Sequence, residues 1–569
     1  MTKAHPSLIA QARGLAPVDL LLRDCQVINV LSGEIHHAHV AVSDGVIIGF
    51  GDYAARTVVQ ARGRYLCPGL IEGHIHIEST MLDPVRFARA VAAHGTAVVV
   101  CDPHEIANVL GLSGIKWLLD ITANLPVEIY CMMPSCVPAT HLETAGATIQ
   151  AEDIAFMLRT YPSRILGLAE MMNYPGVLSE DPSVMAKLRV APGRPIDGHA
   201  PGLTGHDLQA YILAGPASDH ESCHLAEARE KLRSGMHLMI REGSSEKNLH
   251  DLVPLVQEYN SQNCSLVTDD RHCDDLLRYG HLDYTVRLAI AQGIPPLRAI
   301  QMASINTARY FGLHRRGAIA PGFRADFMLL DDLEELSIAE VYLAGQPTKA
   351  HSWAAGPSIH TVTKSVHIAM DPPVSLQIPA PAGPVRVIQV VPGQIVTESV
   401  ELLPTVEHGR IVADPKRDIA KLAVLERHHG SGHIGLGLVR GLGLQRGALA
   451  STVAHDSHNL IVAGVNDQDM LTAVQALVAS GGGLVCVCAG QICAQLPLPI
   501  AGLMSDQEPE LVAQALDHLN AAARTLGCPE SINPFMLLSF LALPVIPRLR
   551  LTDLGLVDVQ EFSLVPLGA

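Results

Sequence analysis

Between Pro68 and about residue 310 the chain repeats one pattern, a short apolar run followed by a helical stretch and another apolar run. The runs fall at 69–77, 95–102, 127–133, 164–171, 195–199, 217–220, 236–242 and 264–269. Apolar strands alternating with helices belong to parallel sheets covered on both faces. Eight of them predict an α/β fold built on a closed (β/α)8, TIM-like barrel, in which catalytic groups gather at the C-terminal strand ends.

Most of these strands end in residues that bind metals. The first closes on His74-Ile-His76, and because strand side chains alternate faces, two imidazoles one residue apart converge on one point. The fourth ends in Glu170, the fifth in Asp197-Gly-His199, the sixth in Asp219-His220-Glu221 and the eighth in Thr268-Asp269-Asp270. Singly each has an ordinary explanation: Glu170 as a helix cap, His199 in a loop turn, Asp269 as an N-cap. Together, four histidines (His74, His76, His199 and His220) and two carboxylates (Glu170 and Asp269) suit two divalent ions with an open position for water. The absence of thiolates favours Mn, Fe or Zn over Cu(I). Residues 165–173 contain no lysine that could be carboxylated into a bridge, so Glu170 is the expected bridging ligand.

The rest of the chain frames this unit. Within an N-terminal part spanning 1–66, residues 18–66 read as short strands, at 27–30, 38–43 and 46–50, with Ser-Gly and Asp-Gly turns, and predict a small antiparallel sheet. The barrel is expected over 67–316. Residues 317–370 return to strand-and-turn texture and are expected to complete the N-terminal sheet as a small β-sandwich. A Pro-rich linker over 371–384 then leads to a separate Gly- and Ala-rich α/β or α+β domain at 385–569.

With 48% hydrophobic and 17% charged residues the chain is a well-buried globular one. A net charge of −17 argues against nucleic acid as a partner. The first ten residues lack the apolar core of a secretory signal, so a cytoplasmic protein is expected. Residues 472–504 carry no charge, but Gly481-Gly482-Gly483, Gln491, Gln495, Pro497 and Pro499 break them into short buried elements rather than a membrane span. The 12 cysteines lack zinc or disulfide spacing and read as free thiols.

Longer motifs are more specific. They include Pro68-Gly-Leu-Ile-Glu-Gly-His-Ile-His-Ile-Glu-Ser-Thr-Met81, Asp102-Pro-His-Glu-Ile-Ala-Asn108, Ala169-Glu-Met-Met-Asn-Tyr-Pro-Gly176, Asp197-Gly-His-Ala-Pro-Gly202, Arg241-Glu-Gly-Ser244 and Thr268-Asp-Asp-Arg-His272. Arg427-His-His-Gly-Ser-Gly-His433 and Ala454-His-Asp-Ser-His-Asn459 extend the set into the C-terminal domain. Across nearly the whole chain these motifs resemble those of the bacterial adenine deaminases of the amidohydrolase superfamily. Thr80, where a second serine is expected, is a conservative departure.

The resemblance implies hydrolysis of adenine to hypoxanthine and ammonia with two divalent ions, Mn or Fe ahead of Zn, and a homodimer. Water bridging two cations loses a proton near neutral pH and would attack C6 of the purine. Asp269 is the expected acid–base group, with His220 sharing the work, and its choice over Asp270 rests on the resemblance. Glu78, Glu105, Glu221 and Asp270 are candidates for gripping the purine edge. Three alternatives stay open: an N6-substituted adenine as substrate, a cyclic-amide hydrolase of the dihydroorotase or hydantoinase kind, and a metal-stabilised protein without activity.

Two further motifs have ambiguous readings. Gly430-Ser-Gly432-His-Ile-Gly435 fits a nucleotide-binding glycine pattern or a packed glycine turn. His455-Asp-Ser-His458 fits a further metal site or a hydrogen-bonded pair of loop histidines.

Overall fold

The structure is a computed structural model that describes residues 6–353, 362–369, 374–392 and 394–569. The start of the expected linker, 371–373, lies outside the described residues, as do 354–361 and 370 in the return segment.

Five strands open the chain: β1 (Val18–Asn29), β2 (Glu34–Ser43), β3 (Val46–Phe50), β4 (Ala55–Gln60) and β5 (Tyr65–Pro68). The barrel region follows with β6 (Leu70–Ile75), β7 (Thr96–Cys101), β8 (Glu128–Met133), β9 (Ile165–Met171), β10 (Ile196–Gly198), β11 (Ser218–Asp219), β12 (His237–Arg241) and β13 (Cys264–Val267). After it come β14 (Phe327–Asp332), β15 (Ser337–Leu343) and β16 (Gln346–Pro347).

β14 pairs antiparallel with β5, Leu329 opposite Leu66, so the chain leaves the first sheet, builds the barrel region and returns. The resulting sheet runs β16-β15-β14-β5-β1-β2-β3, with β4 also on β1. Leu22, Val27, Val42, Phe327 and Tyr342 fill its core as a β-sandwich. The first part of this sheet is mixed rather than purely antiparallel, because β4 and β5 both run parallel to β1. The expectation failed where β1 turned out to be long enough to pair with β2 along one edge while meeting β4 and then β5 along the other.

In the barrel region β6 to β10 form one parallel sheet and β11 to β13 another. Every residue of β6, β7 and β13 is buried, as their unbroken apolar texture requires. Backbone hydrogen bonds span the gaps between the sheets and make the arrangement barrel-like. The Ala217 N–H donates to the Ile196 carbonyl at 2.9 Å, and the Asp269 N–H to the His74 carbonyl at 2.9 Å.

Beyond this, β17 (Ile378–Pro379) joins β20 (Thr405–Glu407) and β21 (Arg410–Val412) in a small sheet. A larger, eight-stranded one contains β18 (Val385–Val390), β19 (Thr397–Leu402), β22 (Ile419–Leu425), β23 (Ile434–Arg440), β24 (Ala448–Ser451), β25 (Leu460–Gly464), β26 (Gly483–Cys488) and β27 (Gln491–Pro497). The helix Asp467–Ser480 lays Met470, Ala473, Val474 and Leu477 on one face of that sheet. The uncharged run 472–504 is thus the end of this helix plus β26 and β27. No helix among the described residues is long and apolar enough to cross a membrane.

The glycine motif at 430–435 is a turn whose donors are already spent. Gly430 and Gly432 adopt left-handed φ values of 64° and 78°, and the Glu426 carboxylate accepts the backbone N–H groups of His428, His429 and Ser431. A phosphate would have to displace that carboxylate.

Candidate active site

Glu170, on β9, stands between two pairs of histidines. Its Oε1 lies 3.9 Å from His74 Nε2 and 3.4 Å from His76 Nε2, and its Oε2 lies 2.6 Å from His199 Nδ1 and 3.3 Å from His220 Nε2. Asp269 closes the first pair, its Oδ1 being 3.3 Å from His74 Nε2 and 3.2 Å from His76 Nε2. All six residues named from the strand ends therefore meet at one point, one carboxylate oxygen facing each histidine pair.

The ring orientations fit a metal centre. The His76 Nδ1 lies 3.0 Å from the Asp102 carbonyl, which can only accept, so Nδ1 carries the hydrogen and the Nε2 lone pair is directed at the carboxylates. Nε2 of His74, the atom that faces Glu170 and Asp269, is buried without any hydrogen-bond partner. A buried imidazole nitrogen left unpaired is costly unless an ion takes its lone pair. Burial opposes the charge on Glu170, but His199 and His220 outweigh it and hold its pKa well below the usual carboxylate range. Burial likewise depresses the His74 pKa, reinforced by the adjacent His220 ring. His74 is thus held neutral beside ionised carboxylates, the state that donates electron pairs, whereas at His76, His199 and His220 burial is outweighed by the facing carboxylates, which raise the pKa.

Asp269 differs from expectation in one respect. Successive strand residues should face opposite ways, which would leave only one of Asp269 and Asp270 inside. The strand β13 stops at Val267, however, and Asp269 takes a left-handed φ of 56°, so alternation ends there. Both aspartates line the same cavity of about 260 Å³.

Three residues in contact with the site were not among the candidates. Arg241, at the end of β12, donates from Nη1 to Asp269 Oδ2 at 2.5 Å and to Glu221 Oε1 at 2.5 Å, with Nη2 3.0 Å from Glu221 Oε2. Asp102 and His104, just beyond β7, form a group with His76 and Glu170 that can itself hold a metal ion. His104 Nδ1 is 3.0 Å from Asp102 Oδ2 and 3.6 Å from Glu170 Oε1. All three stand at or just beyond the C-terminal ends of barrel-region strands; Asp102 and His104 are of metal-binding type and fit the rule that located the other candidates, whereas Arg241, a cation, does not.

Of the residues expected at the purine edge, Glu105, Glu221 and Asp270 line the cavity. Glu221 is held by Arg241, and Asp270 accepts the Ser79 hydroxyl. Glu78 is not among the lining residues; it is buried and accepts the Ile106 N–H at 3.1 Å. The opposite wall comes from the C-terminal part of the chain, through Ile395, His455, Asp456, Phe540, Leu543 and Ile546.

The chain matches the amidohydrolase family over residues 65–364 and the adenine deaminase C-terminal domain over 394–563. It is 58% identical to an adenine deaminase of Oleidesulfovibrio alaskensis over 99% of this chain and 98% of that one. With adenine deaminase 2 of Carboxydothermus hydrogenoformans it shares 48% identity over the full length of both. The chain belongs to the adenine deaminase family. A solved adenine deaminase structure aligns with 58% of this chain and 99% of its own, at 16% identity and a TM-score of 0.44. In this adenine deaminase family member the two matched segments meet at the cavity, the first supplying the clustered histidines and carboxylates and the second the facing wall.

Proposed function

We propose that this cavity hydrolyses adenine to hypoxanthine and ammonia, with two divalent ions held by His74, His76, Glu170, His199, His220 and Asp269. The observation that carries the reading is the placement of Glu170, one oxygen toward each histidine pair. Oxygen and imidazole ligands without thiolate suit Mn or Fe, with Zn a further candidate. When bound, such ions supply Lewis acidity and bring the pKa of water toward neutrality. The two sheets of the barrel region are read as one closed (β/α)8 barrel, supported by the backbone bonds from Ala217 to Ile196 and from Asp269 to His74.

Asp269 presents Oδ1 to the reaction while Arg241 fixes Oδ2. As water adds to C6 of the purine, Oδ1 accepts the proton and returns it to the ring nitrogen or the departing amine, so that ammonia can leave. His220, with Nε2 3.3 Å from both Glu170 Oε2 and Glu221 Oε1, shares the proton handling. Phe540, Leu543 and Ile546 give the cavity an apolar wall against which a flat heterocycle packs and from which water is excluded.

Ammonia release from adenine, from an N6-substituted adenine and from a cyclic amide, on protein of measured metal content, tests the reading. Turnover of adenine is expected. Ring opening of the cyclic amide with adenine untouched would replace it with the hydantoinase-like alternative.

A further inference from the structure

Glu105 begins the helix His104–Ile121, next to His104, yet its carboxylate is held from the other end of the chain. Its Oε1 lies 2.8 Å from His455 Nδ1, and its Oε2 is hydrogen-bonded to His458 Nε2. Two imidazoles and a carboxylate grouped in this way are also a set that can hold a metal ion.

The tautomer of His458 decides between the two arrangements. The Ala454 backbone N–H donates to His458 Nδ1 at 3.1 Å, so that nitrogen carries no hydrogen. The neutral ring must then carry its proton on Nε2, directed at Glu105. A ring in this state donates a hydrogen bond and has no lone pair there for a metal. His455 also donates. Burial opposes its charge, but Glu105, with Asp270 and Asp456, outweighs burial and pushes its pKa up to about 10. The His455 ring lies flat against Phe540, 4.9 Å between centroids at 22°, which fixes its direction. Glu105 Oε1 is in turn 3.5 Å from His104 Nε2, and the other nitrogen of His104 is 3.6 Å from Glu170. The contacts therefore run unbroken from the C-terminal domain to the ligand cluster, along the wall of the cavity.

We infer that His455 and His458 are positioning residues of the deaminase site, which hold the Glu105 carboxylate in the cavity wall so that it accepts a ring N–H of the purine. The C-terminal domain thereby sets how tightly adenine is held. This rests on the adenine reading of the cavity.

The test uses full-length, metal-loaded enzyme and the variants H458A, H458Q, E105Q and E105Q/H458A, with kcat, KM, metal content and thermal midpoint measured for each. H458A is expected to raise KM for adenine about tenfold, as loss of a hydrogen bond to a charged group does, with a smaller change in kcat and metal content unchanged. H458Q, whose amide N–H reaches the place of Nε2–H, should recover most of the loss. On the E105Q background H458A should add nothing. Independent, additive effects of E105Q and H458A would overturn the inference, as would loss of a metal equivalent in H458A, which would make the cluster a metal site. If H458A fails to fold, H458N keeps an acceptor for the Ala454 N–H, lacks the donor toward Glu105, and gives the same comparison. A parent enzyme that leaves adenine untouched would fail the adenine reading itself, a separate outcome.

Discussion

Arg241 donates to Oδ2 of Asp269 at 2.5 Å and leaves Oδ1 free to face His74 and His76. One guanidinium thus commits half of the carboxylate and orients the rest. Burial opposes the charge on Asp269, but Arg241 first, and then the histidines, outweigh it and hold its pKa well below the usual range. The same guanidinium grips Glu221. Arg241→Met is therefore expected to lower kcat by at least about tenfold, since it leaves two buried carboxylates without their cation. Arg241→Lys should recover only part of this, because an ammonium cannot reproduce the fork. Steady-state kinetics on adenine check both, and parent kcat in Arg241→Met would remove the orienting role.

His74→Ala and His76→Ala are each expected to lower bound metal and abolish deamination while the fold persists, because both rings sit at strand ends rather than within the apolar core. Glu170→Gln should lose at least one metal equivalent, a neutral amide being a poor bridge between two dications. Elemental analysis with far-UV circular dichroism reads all three. Full metal content with parent activity in any of them would dismiss that residue as a ligand.

Asp269→Asn is expected to keep appreciable metal yet lose about 10²–10⁴-fold in turnover, the usual contribution of a general acid–base group. Asp270→Asn should act mainly on KM, because Asp270 lines the cavity and makes no ion pair with His74 or His76, unlike Asp269. Parent turnover in Asp269→Asn together with an inactive Asp270→Asn would transfer the catalytic role by one residue.

Asp283 gives a stability prediction remote from the ligands. Its carboxylate accepts the His281 N–H at 2.7 Å and faces Arg287 Nη1 at 2.8 Å and His94 Nδ1 at 3.2 Å. Burial works against its charge, but His94 and Arg287 outweigh it and lower the pKa from 3.8 to about 2. The folded value lies below the unfolded one, so this stabilisation, about 2 kcal/mol, is fully present above pH 4 and is lost as pH falls toward 2. Asp283→Asn should lower the urea midpoint at pH 7, and the difference from the parent should shrink as the pH drops below about 4. A difference that stays constant through that range would contradict the charge-based origin.

The proposed ligand cluster was legible because each member obeys a local rule: a strand of the barrel-like region ends, and the residue there is of a type that binds metal. His74, His76, Glu170, His199, His220 and Asp269 all follow it, as does Asp102 just beyond β7, whereas Arg241 at the end of β12 is a cation and lies outside any rule for metal-binding side chains. Two things were not local. The left-handed turn at Asp269 cancels strand alternation, and nothing in Thr268-Asp269-Asp270 announces it. Nor does spacing reveal that His455 and His458 reach Glu105, because that contact joins residues some 350 positions apart through the tertiary packing. The mixed first sheet was obscured for a related reason: strand direction depends on partners, and those of β1 lie on both of its edges.

The pairing of Leu66 with Leu329 also has a consequence for biosynthesis. While the ribosome works through the barrel, β5 has β1 on one side and an open edge on the other, since β14 has not yet been made. That edge offers unpaired N–H and C=O groups to any neighbouring nascent strand. The first sheet, begun before the barrel-like region, is therefore completed only after it, and until β14 is made the β5 edge stays open to wrong partners.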